Sequence, residues 1–182
     1  SNDSGQLGTA ATNPNTPQEL SWDGIENIKK IIVTESETQI LTENGDLWGF
    51  GDNTYAQLGR GYRSIRADDY THKKSIHGDW EDIFANSGNF YGFKKTDGSF
   101  WVWGKNDKYD LGIGTKSAFE IDPVKIEGIN LNNIKDFIVT RGGYAYITDD
   151  GELFGAGENF YSGGWIPLRN PRRIGTDTDW ER

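Results

Sequence analysis

The sequence contains no cysteine and no methionine, and only two histidines among its 182 residues. Without cysteine the chain forms no disulfide and no thiolate metal site. His72 and His77 are five residues apart without a paired Asp/Glu pattern, so we interpret them as turn or surface residues. No Ser–His–Asp or Cys–His arrangement is available for nucleophilic catalysis. We therefore expect no catalytic site, no metal and no cofactor, and predict that the chain is not an enzyme.

Positive charge and long apolar runs are also scarce. The formal net charge is −9, which argues against nucleic acid as a partner because the phosphate backbone repels an acidic body. One basic cluster, formed by Arg169, Arg172 and Arg173, is too local to reverse that expectation. No run approaches the roughly 18 apolar residues that a membrane span needs, so we expect no membrane insertion.

What the chain does contain is a repeat. Three copies of one pattern begin at Asn44, Asp97 and Asp150 and read NGDLWGFGDN, DGSFWVWGKN and DGELFGAGEN. Each copy starts 53 residues after the previous one. A fixed period close to roughly 50 residues is typical of propellers, solenoids and repeat arrays. High glycine (24 residues) and aromatic (13%) content suits short strands joined by tight turns, with large rings filling the core.

The local pattern predicts four short strands in each repeat. An Asn-Gly or Asp-Gly pair flanked by strand-like runs predicts a β-hairpin. An apolar segment before each hairpin adds a third strand, with Ile31, Phe84 and Phe137 at matching positions 53 residues apart. A fourth strand is expected over residues 72–76, 123–126 and 171–174. Four antiparallel strands per repeat are the blade pattern of a β-propeller, so the predicted fold class is all-β.

These residues resemble the regulator of chromosome condensation type of repeat. Its core, Gly-x-Leu-Trp-x-Trp-Gly-x-Asn-x-x-Gly-Gln-Leu-Gly-x-Gly, is matched in the first full copy by Gly45, Leu47, Trp48, Gly51, Asn53, Gln57, Leu58, Gly59 and Gly61. The second copy keeps Gly98, Trp101, Trp103, Gly104, Asn106, Leu111, Gly112 and Gly114, and the third keeps Gly151, Leu153, Gly157 and Asn159. A histidine of the family motif is replaced by Glu37, Phe90 and Gly143, which indicates a divergent, bacterial-type member.

The resemblance implies a propeller, usually of seven blades. The chain would then hold about three and a half repeats, because residues 2–8 match the tail of a repeat and residues 179–182 match a beginning. We divide it into the tail of a preceding repeat (1–24), three repeats (25–80, 81–133 and 134–179) and the start of another (180–182). The missing blades are expected to come from the rest of a parent chain or from another chain.

Residues at repeat positions are interpreted as structural. Trp48, Trp101, Trp103 and Phe154 are expected to pack between blades, and truncation of Trp48 or Trp101 is expected to destabilise the fold. Asn53, Asn106 and Asn159 are expected to hydrogen-bond nearby backbone in turns. The remaining non-periodic loop aromatics could pack on the propeller face or bind a partner. As candidate binding-loop residues they are Tyr55, Tyr62, Tyr70, Tyr109, Phe119, Phe160, Tyr161 and Trp165.

Family resemblance implies protein binding through loops on one face of the ring, since relatives include an exchange factor for a small nuclear GTPase and secreted propellers that bind β-lactamases. The leading hypothesis is a non-catalytic protein-binding module of a larger bacterial secreted or surface protein, located outside the cell or on its surface. One alternative is an enzyme-regulating propeller, acting as a hydrolase inhibitor or a GTPase exchange factor. A second is a glycan-binding module in which loop rings stack on sugars.

Overall fold

The computed structural model describes residues 2–9, 19, 22–64, 73–85, 90–140, 142–158 and 167–177. These residues form three four-stranded antiparallel sheets in which the strands of each sheet are neighbours in chain order. The only helical element in this part of the chain is a single 3₁₀ turn at Leu131–Asn133. The all-β prediction with blades of four antiparallel strands is confirmed.

Each sheet is one blade. Blade 1 contains β1 (Ile28–Val33), β2 (Glu37–Thr42), β3 (Leu47–Gly51) and β4 (Lys73–Lys74). Blade 2 contains β5 (Trp80–Ala85), β6 (Phe90–Lys95), β7 (Ser99–Lys105) and β8 (Phe119–Asn130). Blade 3 contains β9 (Ile134–Thr140), β10 (Gly143–Thr148), β11 (Leu153–Gly157) and β12 (Leu168–Arg173).

The three predicted hairpins are present at their predicted turns. Gly45, Gly98 and Gly151 have φ values of 82°, 81° and 78°, a region that only glycine occupies without strain. In each turn the glycine N–H donates to the carbonyl three residues earlier, at 2.9–3.0 Å. The connections span three or four residues instead of two, because the left-handed glycine follows a tight turn before the next strand begins.

The long connection after the third strand of each blade lies against the following blade. The indole Nε1 of Trp103 in blade 2 donates to the carbonyl of Gln57 in the blade 1 connection at 3.1 Å. Gly112 of the blade 2 connection lies against Ala156 and Tyr144 of blade 3. Each interface between blades is thus formed by a sheet face, the next sheet and the loop between them.

Burial of the repeated rings differs from the prediction. Trp48, Trp101 and Phe154 are only partly buried, so the expectation that Trp48 and Trp101 are core residues is met in part. The fully buried position is two residues later, where Phe50 and Trp103 have 0% exposure. The side chains of successive strand residues point to opposite faces of the sheet, whereas side chains two residues apart share a face. Burial at the second position therefore comes from the loop that covers it.

The matching positions predicted for the first strand of each blade are off by one residue in blade 2. Ile31 pairs with Ile40 in blade 1, Ile83 with Phe93 in blade 2, and Phe137 with Tyr146 in blade 3. The counterpart of Ile31 in blade 2 is consequently Ile83 and not Phe84. The extra residue lies between the first and second strands of blade 2, because Ile83 and its partner Phe93 are one residue further apart in the chain than Ile31 and Ile40 or Phe137 and Tyr146. A one-residue shift reverses the face to which a side chain points.

We predict that Trp103→Ala destabilises the chain more than Trp101→Ala does. Removing a fully buried large ring costs roughly 3–5 kcal/mol through lost burial and the cavity that remains. Trp101 is partly exposed, so its truncation should cost roughly half as much. Urea unfolding of the two variants beside the parent chain measures both values. An equal loss in the two variants would contradict the assignment of Trp103 as the interface core.

Candidate functional site

Two ends of the sheets differ in the length of their connections. At one end, here called the hairpin face, lie the short hairpin turns. At the other end, here called the loop face, lie the short turn between β1 and β2 and the described residues of the long connections that follow β3 (52–64), β7 (106–118) and β11 (158 and 167). Functional residues concentrate in loops that a rigid scaffold positions. The loop face is therefore the first place to look for a binding site.

Asparagine side chains hold these long connections in one conformation. The Oδ1 of Asn53 accepts from the N–H of Leu58 at 3.0 Å, while its Nδ2 donates to the carbonyl of Tyr62 at 2.9 Å. The Oδ1 of Asn106 accepts from Leu111 at 3.2 Å, and its Nδ2 donates to Thr115 at 3.0 Å. Both asparagines are fully buried, which confirms their structural interpretation. Asn159 lies outside the described residues.

The same arrangement occurs before blade 1. The Oδ1 of Asn2 accepts from the N–H of Leu7 at 2.9 Å, and its Nδ2 donates to the carbonyl of Thr9 at 2.7 Å. Thr38 in β2 then donates its hydroxyl to the carbonyl of Gln6 at 2.6 Å. Residues 2–9 therefore cover one face of blade 1 in the way that the later connections cover blades 2 and 3. The assignment of residues 1–24 to the tail of a preceding repeat stays a prediction.

A side-chain oxygen four residues after each asparagine completes the turn. Gln57 accepts from the N–H of Tyr55 at 2.9 Å, and Asp110 accepts from the N–H of Lys108 at 3.0 Å. Burial raises the pKa of Asp110. The residue before each oxygen has a left-handed backbone, with φ of 61° at Ala56 and 64° at Tyr109, where the family motif has glycine.

Four of the eight predicted binding-loop aromatics lie within the described residues, and all four are on the loop face. Tyr62 is 42% exposed, whereas Tyr55, Tyr109 and Phe119 are partly buried. The other four, Tyr70, Phe160, Tyr161 and Trp165, lie outside the described residues. Tyr62 alone among the four is thus an exposed ring of the kind that anchors protein contacts.

Cations from neighbouring blades cover the three partly buried rings. Lys105 Nζ lies 5.5 Å from the centre of the Tyr55 ring, which belongs to the preceding blade. The guanidinium of Arg63 lies 5.2 Å from the Phe119 ring, and that of Arg169 lies 4.8 Å from the Tyr109 ring. Such contacts are attractive because the ring face is electron-rich. The sequence did not reveal these cations, because each pair joins different blades.

Charge is distributed unequally between the two ends. Exposed carboxylates on the hairpin face include Glu43, Asp79, Asp97, Asp149 and Asp150. On the loop face the connections expose Arg63, Lys108, Lys116 and Arg169, with Asp3 and Glu35 as exposed acids nearer to residue 1. Lys108 is paired with Glu158 of blade 3 at 3.0 Å. The described part of the loop face therefore carries exposed cations side by side with carboxylates such as Asp107 and Glu158.

A carboxyl group occupies the position where the family motif has histidine. Glu37 begins β2, is 1% exposed and faces Gly51 across the strand pair. The hydroxyl of Ser36 donates to its Oε2, while Oε1 has no hydrogen-bond partner among the described residues. Burial raises the pKa of the Glu37 carboxyl to about 7, because the effect of burial is larger than the opposing effect of the Ser36 and Thr34 hydroxyls.

Neither a metal centre nor a membrane helix was found in the part of the chain that the structure describes. Its His, Asp and Glu residues form no group of three that could hold a metal ion. None of its helical segments is long and apolar enough to cross a bilayer.

The model of the regulator of chromosome condensation (RCC1) repeat matches residues 97–142. The chain belongs to the RCC1 repeat family. It is 30% identical over 143 residues to the E3 ubiquitin-protein ligase HERC2 of Mus musculus, which covers 75% of the chain and 3% of HERC2. It is 29% identical over 163 residues to the ultraviolet-B receptor UVR8 of Arabidopsis thaliana, covering 87% of the chain and 36% of the receptor.

Solved structures share the fold of this RCC1-repeat chain. Human WBSCR16 superimposes with a TM-score of 0.75 at 18% identity, over 96% of the chain and 47% of WBSCR16. Prp20p of Saccharomyces cerevisiae gives a TM-score of 0.74 at 16% identity, over 97% of the chain and 45% of Prp20p. The chain spans less than half the length of each of these four relatives, so their whole-protein activities do not transfer directly.

We predict that Glu37→Gln stabilises the chain at neutral and alkaline pH. A carboxyl whose pKa is raised on folding favours the folded state below pH 4.5, and this stability is lost as pH rises from 4.5 to about 7. At roughly 1.4 kcal/mol per pH unit, the loss is about 3 kcal/mol. The glutamine variant should gain up to that amount at pH 8 and little at pH 4.

Urea unfolding between pH 4 and pH 8 measures this difference. Glu43→Gln, an exposed carboxylate on the hairpin face, is the matched control and should follow the parent chain at every pH. A Glu37→Gln variant that is less stable than the parent at pH 8 would show that the carboxylate is stabilised where it lies.

Proposed function

We propose that this chain is a non-catalytic protein-binding module that engages its partner through the loop face. The observation that carries the proposal is the pair of buried asparagines, Asn53 and Asn106, which fix the connections after β3 and β7 with two and three side-chain hydrogen bonds respectively. Loops that are already ordered lose little conformational entropy on binding, so more of the contact energy appears as affinity. A fold does not dictate its function, so the proposed role depends on the residues of this site.

The exposed pair Tyr62–Arg63 is the proposed anchor on this face. Tyrosine and arginine are enriched among residues that dominate binding energy, because each offers a large contact area and directional hydrogen bonds. The exposed guanidiniums of Arg63 and Arg169 are held over aromatic rings. They can therefore meet a carboxylate without first losing their conformational freedom. This chemistry favours an acidic protein surface as the partner.

Relatives support a protein as the partner class. One solved structure contains Kap60 bound to yeast RCC1 (Prp20), and another concerns the binding of Prp20p to Gsp1p and histones. An enzyme-regulating propeller, acting as a hydrolase inhibitor or a GTPase exchange factor, stays an alternative prediction. Glycan binding and a location at a bacterial surface or outside the cell stay predictions.

Binding of the purified chain to Gsp1p and to histones, measured by biolayer interferometry, tests the proposal. Because histones are basic, we expect saturable binding to Gsp1p and not to histones, weakened at least tenfold in a Tyr62→Ala, Arg63→Ala double variant. The control is Asp149→Ala, Asp150→Ala on the hairpin face, which should bind within twofold of the parent. Equal weakening in both double variants would exclude the loop face as the binding surface. Binding to a glycan array, with none to either protein, would favour the sugar alternative.

A further inference from the structure

The two interfaces between blades can be compared residue by residue. In the strand pairings Trp48 faces Lys74 and Trp101 faces Lys125, so Lys74 and Lys125 occupy the same position. Beyond the strands, the N–H of Trp80 donates to the carbonyl of Gly45 and that of Leu131 donates to Gly98. The offset is 51 residues at both points. The counterpart of His77 is therefore Gly128.

Aromatic rings fill the interface between blades 1 and 2. The rings of His77 and Trp103 have centroids 5.9 Å apart, and those of Trp80 and Trp103 are 5.4 Å apart. His77 Nε2 also lies 3.8 Å from a carboxylate oxygen of Asp122 in β8. The imidazole of His77, in the link after β4, therefore extends across the interface between blades 1 and 2 and fills the space there.

Each of these three rings is replaced by a smaller side chain in the interface between blades 2 and 3. Gly128 stands in place of His77, Leu131 in place of Trp80, and Ala156 in place of Trp103. The phenol of Tyr144 takes part of the space next to Ala156, since both lie against Gly112. An added Cβ on Gly128 would have no atom within 4 Å, so nothing there replaces the imidazole.

A cleft remains at this place. Its volume is about 390 Å³, and a second hollow of about 220 Å³ adjoins it along Gly128, Tyr146 and Phe154. The rings of Tyr146 and Phe154 form one wall, stacked with centroids 5.1 Å apart and planes within 2°. Pockets of roughly 300–1,000 Å³ with apolar walls and a few polar groups are typical ligand sites.

The remaining lining gives the cleft an apolar interior and a polar rim. Ile113, Val124 and Pro171 line the interior, while Lys125, Glu127 and Asn170 lie at the exposed rim. Asn170 has the position of Asp122, because Val124 and Arg172 hold the same place in their strand pairings. The side-chain amide of Asn170 therefore occupies the position at which Asp122, in the interface between blades 1 and 2, places a carboxylate oxygen near the ring nitrogen of His77.

We propose that the cleft between blades 2 and 3 receives an aromatic side chain, of tryptophan or histidine type, from a partner polypeptide. The equivalent space in the other interface is filled by such rings, which defines the shape and chemistry of the occupant. A polypeptide fits because β8 is the last strand of its sheet. Among the described strands none pairs with its outer edge, which can therefore pair with an extended segment of a partner. The proposal rests on the protein-binding function but uses a surface distinct from Tyr62 and Arg63.

Titration of the whole chain with N-acetyl-tryptophanamide, followed by amide NMR shifts, tests the cleft directly. We expect saturable shifts at Gly128, Lys125 and Asn170 with a dissociation constant in the millimolar range, and at least tenfold weaker binding of N-acetyl-leucinamide. Gly128→His should weaken binding at least tenfold by filling the cleft. The matched control is Gly175→His, because Gly175 has φ of 74° against 80° at Gly128 and also has nothing within 4 Å.

Phe154→Leu provides a second variant in case the histidine at position 128 impairs folding. It keeps an apolar wall but removes the stacked ring, so binding of the tryptophan amide should fall severalfold while melting temperature changes little. Shifts scattered over the surface, or equal binding of the leucine amide, would overturn the proposal.

The source of the ring is tested by peptide display on the same chain. Peptides selected on the parent chain should carry a tryptophan or histidine at one fixed position and should lose at least tenfold in affinity for Gly128→His. Binding of the free amide without any selected peptide would overturn the polypeptide part and leave a small-molecule site. Tyr62→Ala, Arg63→Ala should not affect either result, so failure here is distinguishable from failure of the loop-face function.

Discussion

The docking of the connections after β3 and β7 onto the sheets that follow them is the contact on which the arrangement of the three blades depends. A single four-stranded sheet has two faces to bury and can do so only against other layers. The connection after β3 covers the face of blade 2 around Trp103, and that after β7 covers blade 3 around Ala156. The buried asparagines fix these connections, so the same bonds that order the loop face also hold the sheets together.

This dependence explains what the sequence predicted correctly. Turn glycines, flanking strands and the repeated asparagines act through contacts a few residues away, so their effect is visible in a short stretch of sequence. The hairpins at Gly45, Gly98 and Gly151 follow from local backbone geometry alone. The bonds of Asn53 and Asn106 likewise span no more than eleven residues.

The errors arise where a contact joins distant residues or where the period is not constant. Trp103 is more buried than Trp101 because the connection after β3 in blade 1 covers the Trp103 ring. The spacing of residues within one strand does not reveal this contact. The first strand of blade 2 differs by one residue from the 53-residue period, since the chain between it and its partner strand is one residue longer than in blades 1 and 3. The cations over Tyr55, Tyr109 and Phe119 were missed for the same reason, because each comes from a different blade.

Positions at which the repeats differ are those at which a residue can serve the function of the protein and not its fold. The fold requires similar residues at equivalent buried places, so a change there has to be compensated by packing or has to leave a gap. Glu37 is a change that leaves a buried carboxyl incompletely paired, while Gly128 leaves a cleft. Both depart from the pattern and are only partly compensated among the described residues. A repeat protein can vary one interface in this way because the hydrogen-bonded loops of the other blades maintain the sheets.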